Sequence, residues 1–278
     1  MTIEHIIERS APVELPSARD RRLNRLGKIA YQVLPPLAML GVLLTAWWWF
    51  TRHGQLPSLL FPKPSEVGAS LQRGLIEGLW WPHIGTTMSS MVLGLAFGVV
   101  VGLILGALFA YVDIVRVILY PFVMALQSFP KIAIAPLLIV ALGYGQTPKI
   151  VVAALLAYFP VMTASVAGFT QVDREELNFM RSMKASKYEE MRYLRLPNAM
   201  SYIFPALDVA LVSALLGAVG AELVGANAGL GYILVERTAF GDTPSIFGVL
   251  VVLGVIGALL RAVMVTIRVM LPRSIVPR

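Results

Sequence analysis

The chain has 278 residues, of which 57% are hydrophobic and only 14% charged, and its mean hydropathy is +0.75. Soluble domains carry roughly 45–50% apolar residues, so a water-soluble architecture is excluded, and a chain of this length holds several membrane spans of about 20 residues with their loops. The formal net charge of +7 does not form one basic stripe of the kind that binds nucleic acid; the basic residues gather beside apolar runs, as the positive-inside bias of membrane proteins requires.

Residues 1–32 are polar and contain Arg9, Arg19, Arg21, Arg22, Arg25 and Lys28. This basic segment cannot enter hydrocarbon and is expected in the cytoplasm, its first half loosely ordered. Val33 to Phe50 is uncharged and closes on Trp47, Trp48 and Trp49, an interfacial aromatic anchor, giving the first span. The run is long for a cleaved signal peptide and no small-x-small site follows it. From Pro57 to Pro82 the chain is polar, with Ser65 placed to cap a short helix that lines up Val67, Leu71 and Leu75 on the outer surface. Ile84 to Val112 is a second uncharged span, ended by Asp113 and Arg116.

The third apolar segment, Val117 to about Leu142, is interrupted by Pro121, Pro130, Lys131 and Pro136. An unbroken helix would lose backbone hydrogen bonds there, so the segment is predicted to be a broken helix buried in protein. A turn over residues 143–148 leads to a fourth span, Ile150 to Gln171, followed by a polar segment from Asp173 to Asn198. A fifth span covers roughly Ile203 to Val224, then comes a loop rich in Gly and Asn. A sixth covers Ser245 to about Ile267, before Arg268, Arg273 and Arg278. Six spans put both termini on the same side. Most Lys and Arg then fall on the cytoplasmic side, with only Arg52, Lys63, Arg73, Lys149 and Arg237 outside. The domain reading is a basic cytoplasmic segment (1–32), a transmembrane domain (33–270) with its cytoplasmic loop at 173–198, and a cytoplasmic tail (271–278).

Gly94, Gly98, Gly102 and Gly106 recur every fourth residue in the second span and form a face that another backbone can approach closely. Ser213, Gly217, Ala221 and Gly225 repeat the spacing in the fifth span, so these two helices can pack together; static packing is preferred to a sliding surface. The polar segment at 173–198 reads as two short helices. Asp173 with Glu176 starts the first, Ser186 with Glu189 starts the second as a capping box, and Pro197 stops it. Arg181, Lys184 and Lys187 surround Leu177, Phe179, Met180 and Met183 on this pair, which suits either a solvated amphipathic loop or a docking element.

Ionisable residues at membrane depth are candidates for pathway or pairing roles. Glu222 lies near the outer end of the fifth span, Asp208 near its inner end, and Lys131 in the broken segment, one turn after Gln127. One reading is a Lys131–Glu222 ion pair that holds the bundle, or snorkelling to an interface. The other is a central path in which Lys131 and backbone groups freed near Pro130 and Pro136 attract a small anion.

There is no cysteine, which removes disulfides, thiolate metal sites and cysteine catalysis. His5, His53 and His83 lack metal-ligand spacing and read as structural. No histidine–carboxylate cluster supports a membrane enzyme, and no phosphate-binding Gly loop ending in Lys-Ser or Lys-Thr is present, so no cofactor is expected in this chain. Broken helices and glycine seams would suit an ion-gradient-driven secondary transporter, but the two halves show no convincing inverted similarity, and the capped polar pair would then lack a purpose.

The stretch Asn178 to Ser186, followed by Leu196-Pro197, resembles the EAA loop of ABC importer permeases in its spacing. Asn178, Phe179 and Met180 stand where Glu-Ala-Ala is usual, and Lys184 stands at the family's glycine. A left-handed turn at Lys184 would cost about 1–2 kcal/mol. Phe129 to Ile139, Leu60 to Val67 and Gly220 to Tyr232 are similar to the taurine, alkanesulfonate and nitrate branch of these permeases, and the likeness runs from about residue 33 to residue 270. Ser90 and Asp208 depart from arginines found in many members. The resemblance implies an all-α membrane protein with six transmembrane helices of the type I, MetI-like kind and a cytoplasmic coupling helix pair. It implies a multi-pass inner-membrane permease that forms a homodimer, with ATP and Mg bound by two separate ATPase subunits and a binding protein that delivers a small solute; sulfonate, nitrate, aromatic acid and vitamin precursor all stay open, with an anion preferred. It also implies that Asn178, Met180, Arg181, Lys184, Ala185, Ser186 and Pro197 engage the ATPase, which leaves Gln127, Lys131, Asp208 and Glu222 for the path and Gly94, Gly98, Gly102 and Gly106 for packing.

Overall fold

The computed structural model describes residues 18–53 and 60–270. The expectations for the extreme N-terminal residues and for the tail at 271–278 lie outside them. The described secondary structure is helical throughout. The chain divides into two units, one up to Pro64 and one from Ser65 onward.

The first unit contains α1 (Ala18–His53), whose Leu34–His53 portion is long and apolar enough to cross a membrane. It agrees with the predicted first span, and the helix also reaches back into the basic segment. At its far end the Trp47 indole N–H donates to the Pro62 carbonyl at 3.2 Å.

The second unit opens with α2 (Pro64–Leu71), which continues as a π-helical turn over Gln72–Ile76. Ser65 lies inside this helix rather than at its cap, because Pro64 already supplies the fixed φ of a first helical residue. The predicted apolar face forms: Leu71 and Leu75 pack around buried Trp80 together with Leu230, Ile233 and Val249. Then come α3 (Trp81–Tyr111), α4 (Asp113–Gln127), a 3-10 turn at Lys131–Ile134, α5 (Ala135–Leu142) and α6 (Thr147–Thr170). The pair α4 and α5 meets at an 88° bend, so the segment is broken as predicted, but it is not buried in protein: among its described residues Ala135 is enclosed while Val117, Phe122, Leu137 and Val140 are exposed, because the segment packs on the bundle along one side. The break falls where Pro130 lacks an N–H and disfavours helix at Phe129.

Two short helices, α7 (Arg174–Ser182) and α8 (Lys187–Glu190), follow, then a π-helical turn at Met191–Arg195, α9 (Leu196–Gly225), α10 (Leu230–Ala239) and α11 (Thr243–Met270). Pro197 does not stop a helix as expected. It lies at the start of α9 directly after the π-helical turn, and the helical path runs through it from Lys187 without a break, the wider turn ahead of it accommodating the missing N–H. The Gly- and Asn-rich loop after the fifth span is also shorter than expected, since α10 occupies most of it. Five stretches are long and apolar enough to span a membrane, or six if the bent pair counts as one.

The core is formed by three long helices, α3, α6 and α9, in mutual contact, with α6 packed most extensively against the other two. Ala153 and Ala157 of α6, Met91 of α3, and Ala210, Ala214 and Ala218 of α9 are buried together. Small side chains dominate because lipid tails are as apolar as the helices, so association depends on close backbone packing. A Cβ on Gly94, Gly98, Gly102 or Gly106 would lie 2.3–2.8 Å from atoms of α6, so the glycine face of α3 lies directly against that helix. The fifth-span repeat behaves differently. Gly217 closes on Ala153 of α6 and Gly225 on Ile139 of α5, while Ser213 faces a groove. The two seams thus do not close on each other: the α3 glycines and Gly217 of α9 both turn toward α6, while α3 and α9 touch through other residues.

Candidate functional site: the α7–α8 pair and the buried charges

The α7–α8 pair is specified locally. Asp173 caps α7, its carboxylate accepting the Glu175 N–H at 2.8 Å, one residue short of the Glu176 expected from the sequence. The predicted capping box at α8 forms in full: Ser186 Oγ accepts the Glu189 N–H, and the Glu189 carboxylate accepts the Ser186 N–H at 2.7 Å. That backbone donor, with the Ser186 hydroxyl, holds the Glu189 carboxyl below its ordinary value.

Between the helices Lys184 has φ +58°, the only positive φ among described non-glycine residues. The Ala185 N–H donates to Met180 O at 3.1 Å and the Lys184 N–H to Arg181 O at 3.0 Å. This is a Schellman turn, with lysine at the position glycine usually fills. Arg181 then bridges to buried Glu190 at 3.0 Å, locking α7 onto α8. Phe179 and Met183 remain 66% and 69% exposed. A cavity of about 770 Å³ beside them is lined by Glu175, Glu176, Phe179, Met180, Tyr193 and Pro197, among others. Asn178, Met180, Arg181, Lys184, Ala185 and Ser186 are therefore brought onto one hairpin, with Pro197 at its exit.

The hairpin is fixed to the ends of three long helices by residues that sequence reasoning passes over. Arg195 donates to Phe169 O of α6 at 2.8 Å and lies 5.6 Å from the Tyr111 ring of α3. Asn198 donates to Gly168 O and Gln171 O at 2.7 and 2.9 Å, and a Cβ on Gly168 would stand 2.5 Å from Ala199 Cα. The signal for these two is a polar side chain at the start of an apolar helix, next to a neighbour whose last carbonyls have no helical donor.

At the opposite end of the bundle, Glu222 of α9 is 1% exposed. Its carboxylate accepts from the Thr87 hydroxyl of α3 at 2.9 and 3.0 Å and from the Gly231 N–H of α10 at 2.9 Å. The cation beside it is Lys149 of α6 at 3.8 Å, and this replaces the expected Lys131–Glu222 pair. Lys149 also donates to Ala228 O at 2.6 Å, Thr87 Oγ1 accepts the Leu230 N–H at 2.8 Å, and His83 Nδ1 accepts the Gly229 N–H at 3.1 Å. The 226–230 connection is thereby tied to α3, α6 and α9, and Glu222 is enclosed in this conformation. Lys149 borders a turn and so reads from sequence as an outer-loop residue; its position near the N-terminus of α6 instead aims it inward.

Lys131 stays beside the bend, donating to Gln127 Oε1, with its ammonium 5.8 Å from the Phe159 ring. Asp208 is half-buried and faces a groove of about 340 Å³ with Ser213 of α9 and Arg261 of α11. Arg261 is legible in the sequence only as a charge inside the sixth apolar run. The four path candidates are therefore not gathered at one site: Gln127 and Lys131 adjoin, whereas Asp208 and Glu222 lie far apart along α9.

Comparison with known proteins places this geometry in a family. The chain is 33% identical over 222 residues to a probable ABC transporter permease protein of Haemophilus influenzae, covering 80% of this chain and 90% of that one. It is 30% identical to the formylaminopyrimidine transport permease protein of Halalkalibacterium halodurans (84% and 92% covered) and 28% identical to the taurine transport system permease protein of Escherichia coli (87% and 90%). Among solved structures, a chain of the inward-facing MetNI methionine ABC transporter superposes with a TM-score of 0.57 at 22% identity, covering 66% of this chain and 91% of that one. Residues 98–276 match the family of binding-protein-dependent transport system inner membrane components, and the chain belongs to that family, as a multi-pass ABC importer permease rather than an enzyme.

Proposed function

We propose that the chain is the conduit of a bacterial ATP-driven importer in which the α7–α8 pair and both termini lie in the cytoplasm. Two separate ATPase subunits, holding ATP and Mg, grip one hairpin on each of two permease copies, and an extracytoplasmic binding protein delivers the solute. The observation that carries this reading is the rigid hairpin itself. Its Schellman turn presents Phe179 and Met183 to solvent while Arg195 and Asn198 fasten its root to α3, α6 and α9, so a push on the hairpin moves three spans together. The solute is a small anion of the sulfonate, nitrate or aromatic-acid type. Two of the relatives bear the names of taurine and of aliphatic sulfonates, and Lys131 supplies a cation at the bend, with Gln127 beside it.

The test of the hairpin is a Phe179→Asp, Met183→Asp double variant co-expressed with the ATPase. Loss of co-purification and of ATP-dependent uptake in proteoliposomes is expected; retention of both overturns the docking assignment. Arg181 is unsuitable for this purpose because its reversal would also break the bridge to Glu190. Lys131→Met is expected to lower sulfonate uptake with ATPase association unchanged, and unaltered uptake would remove Lys131 from the path. Accumulation by the chain alone, driven by an ion gradient without nucleotide, would return it to the secondary-transporter class.

A further inference from the structure

Asp208 and Arg261 are the charged residues of one groove, accompanied by Ser213, Val209 and Val212. Asp208 lies twelve residues into α9 from Leu196 and Arg261 nine residues before the end of α11 at Met270. Counted at about 1.5 Å per residue from the inner ends of the apolar runs, near Ile203 and Ile267, these positions lie roughly 8 and 9 Å inside a hydrocarbon core about 30 Å thick. Neither side chain forms an ion pair with the other or with any described residue. Full charges at that depth are expensive unless partnered. Along the same flank of α9, Val209, Val212, Leu216 and Leu223 are exposed, an apolar stripe with helical spacing that nothing described covers.

We propose that this flank is covered by a second copy of the chain, with Asp208 of one copy paired to Arg261 of the other. A two-fold interface sets the same patch against itself, so residue i meets j and j meets i. A patch that carries one acid and one base, neither used internally, satisfies that condition twice, and the apolar stripe between the two pairs fills the contact. The proposal rests on the two-copy reading given above and adds the residues that specify it. Arginine would be a poor choice at 208 in such an arrangement, because Arg261 of the second copy would then face a like charge.

The experiment co-expresses the full chain under two different affinity tags and measures co-purification from mild detergent. The parent chain is expected to capture itself. D208R with D208R, and R261D with R261D, should each fall by roughly tenfold or more, since each interface then juxtaposes like charges. D208R with R261D should return to within about twofold of the parent, because both cross-copy pairs are restored although each chain carries like charges internally. Where a reversed chain fails to insert, D208N and R261Q serve the same logic: the mixed pair keeps one bridge and should exceed either self-pair. Recovery only when both reversals are in one chain would place the bridge within a chain and overturn the proposal. Unchanged co-purification with altered uptake would also overturn it and assign the groove to the solute. A parent chain that fails to capture itself would overturn the two-copy reading first, and this proposal with it.

Discussion

Lys184 shows how one residue's backbone reports a family position that its side chain conceals. Its φ of +58° is the conformation that glycine adopts at no steric cost, and the lysine Cβ bears about 1–2 kcal/mol there. Lys184→Gly is therefore expected to raise the stability of the hairpin by about 1 kcal/mol, read as a higher thermal midpoint of the detergent-solubilised protein. An unchanged or lower midpoint would mean that the lysine side chain makes up the difference. Glu222 presents the opposite case, a charge with an obligatory neighbour. Lys149→Met leaves that carboxylate enclosed without its cation, and about 3 kcal/mol of destabilisation is expected, largely recovered in the Lys149→Met, Glu222→Gln double variant. If the double variant is no better than the single, the pair is not the reason for the loss.

At the scale of elements, α6 organises the bundle because α3 offers it a face without side chains. With the Gly98 Cβ position 2.8 Å from the Ala157 Cβ, Gly98→Leu must push the two helices apart, and a loss of about 2 kcal/mol or more is expected. Gly254 of α11 has nothing within 4 Å, so Gly254→Leu should cost nothing and slightly raise the midpoint in the same thermal measurement, since glycine is a poor interior helix residue. Equal effects at the two positions would contradict the seam. The broken α4–α5 segment and the doubly capped hairpin are both legible without the structure, since proline chemistry and capping boxes are local. Pro197 misleads for a related reason: a missing donor ends a helix in one setting and is absorbed behind a π-helical turn in another, and only the path of the chain distinguishes them.

For the whole molecule, the long helices carry different chemistry at their two ends. The α7–α8 hairpin sits where α3 and α6 end and α9 begins, and the Glu222–Lys149 cluster sits at the other end of those helices. The absence of native cysteine makes the sidedness directly measurable. In right-side-out vesicles, a membrane-impermeant thiol reagent should label a cysteine placed at the exposed Phe240, between α10 and α11, and should not reach one placed at Met183 until the vesicles are opened. The reverse pattern would invert the topology.

The sequence by itself determined the number and length of the apolar segments, the breaks at proline, the caps of the hairpin and the glycine periodicity, because each depends on residues within a turn or two of one another. Which charge meets which was decided only by tertiary structure. Lys131 interrupts the third apolar segment and Lys149 directly precedes the fourth, and nothing local states that the second faces Glu222, 73 positions away, while the first stays with Gln127. Likewise both small-residue seams could be read from spacing, but that the α3 glycines and Gly217 turn onto α6 rather than onto each other was decided by how the helices stack. Long-range pairing is set by how whole helices stack, and helix stacking is a property of the assembled bundle.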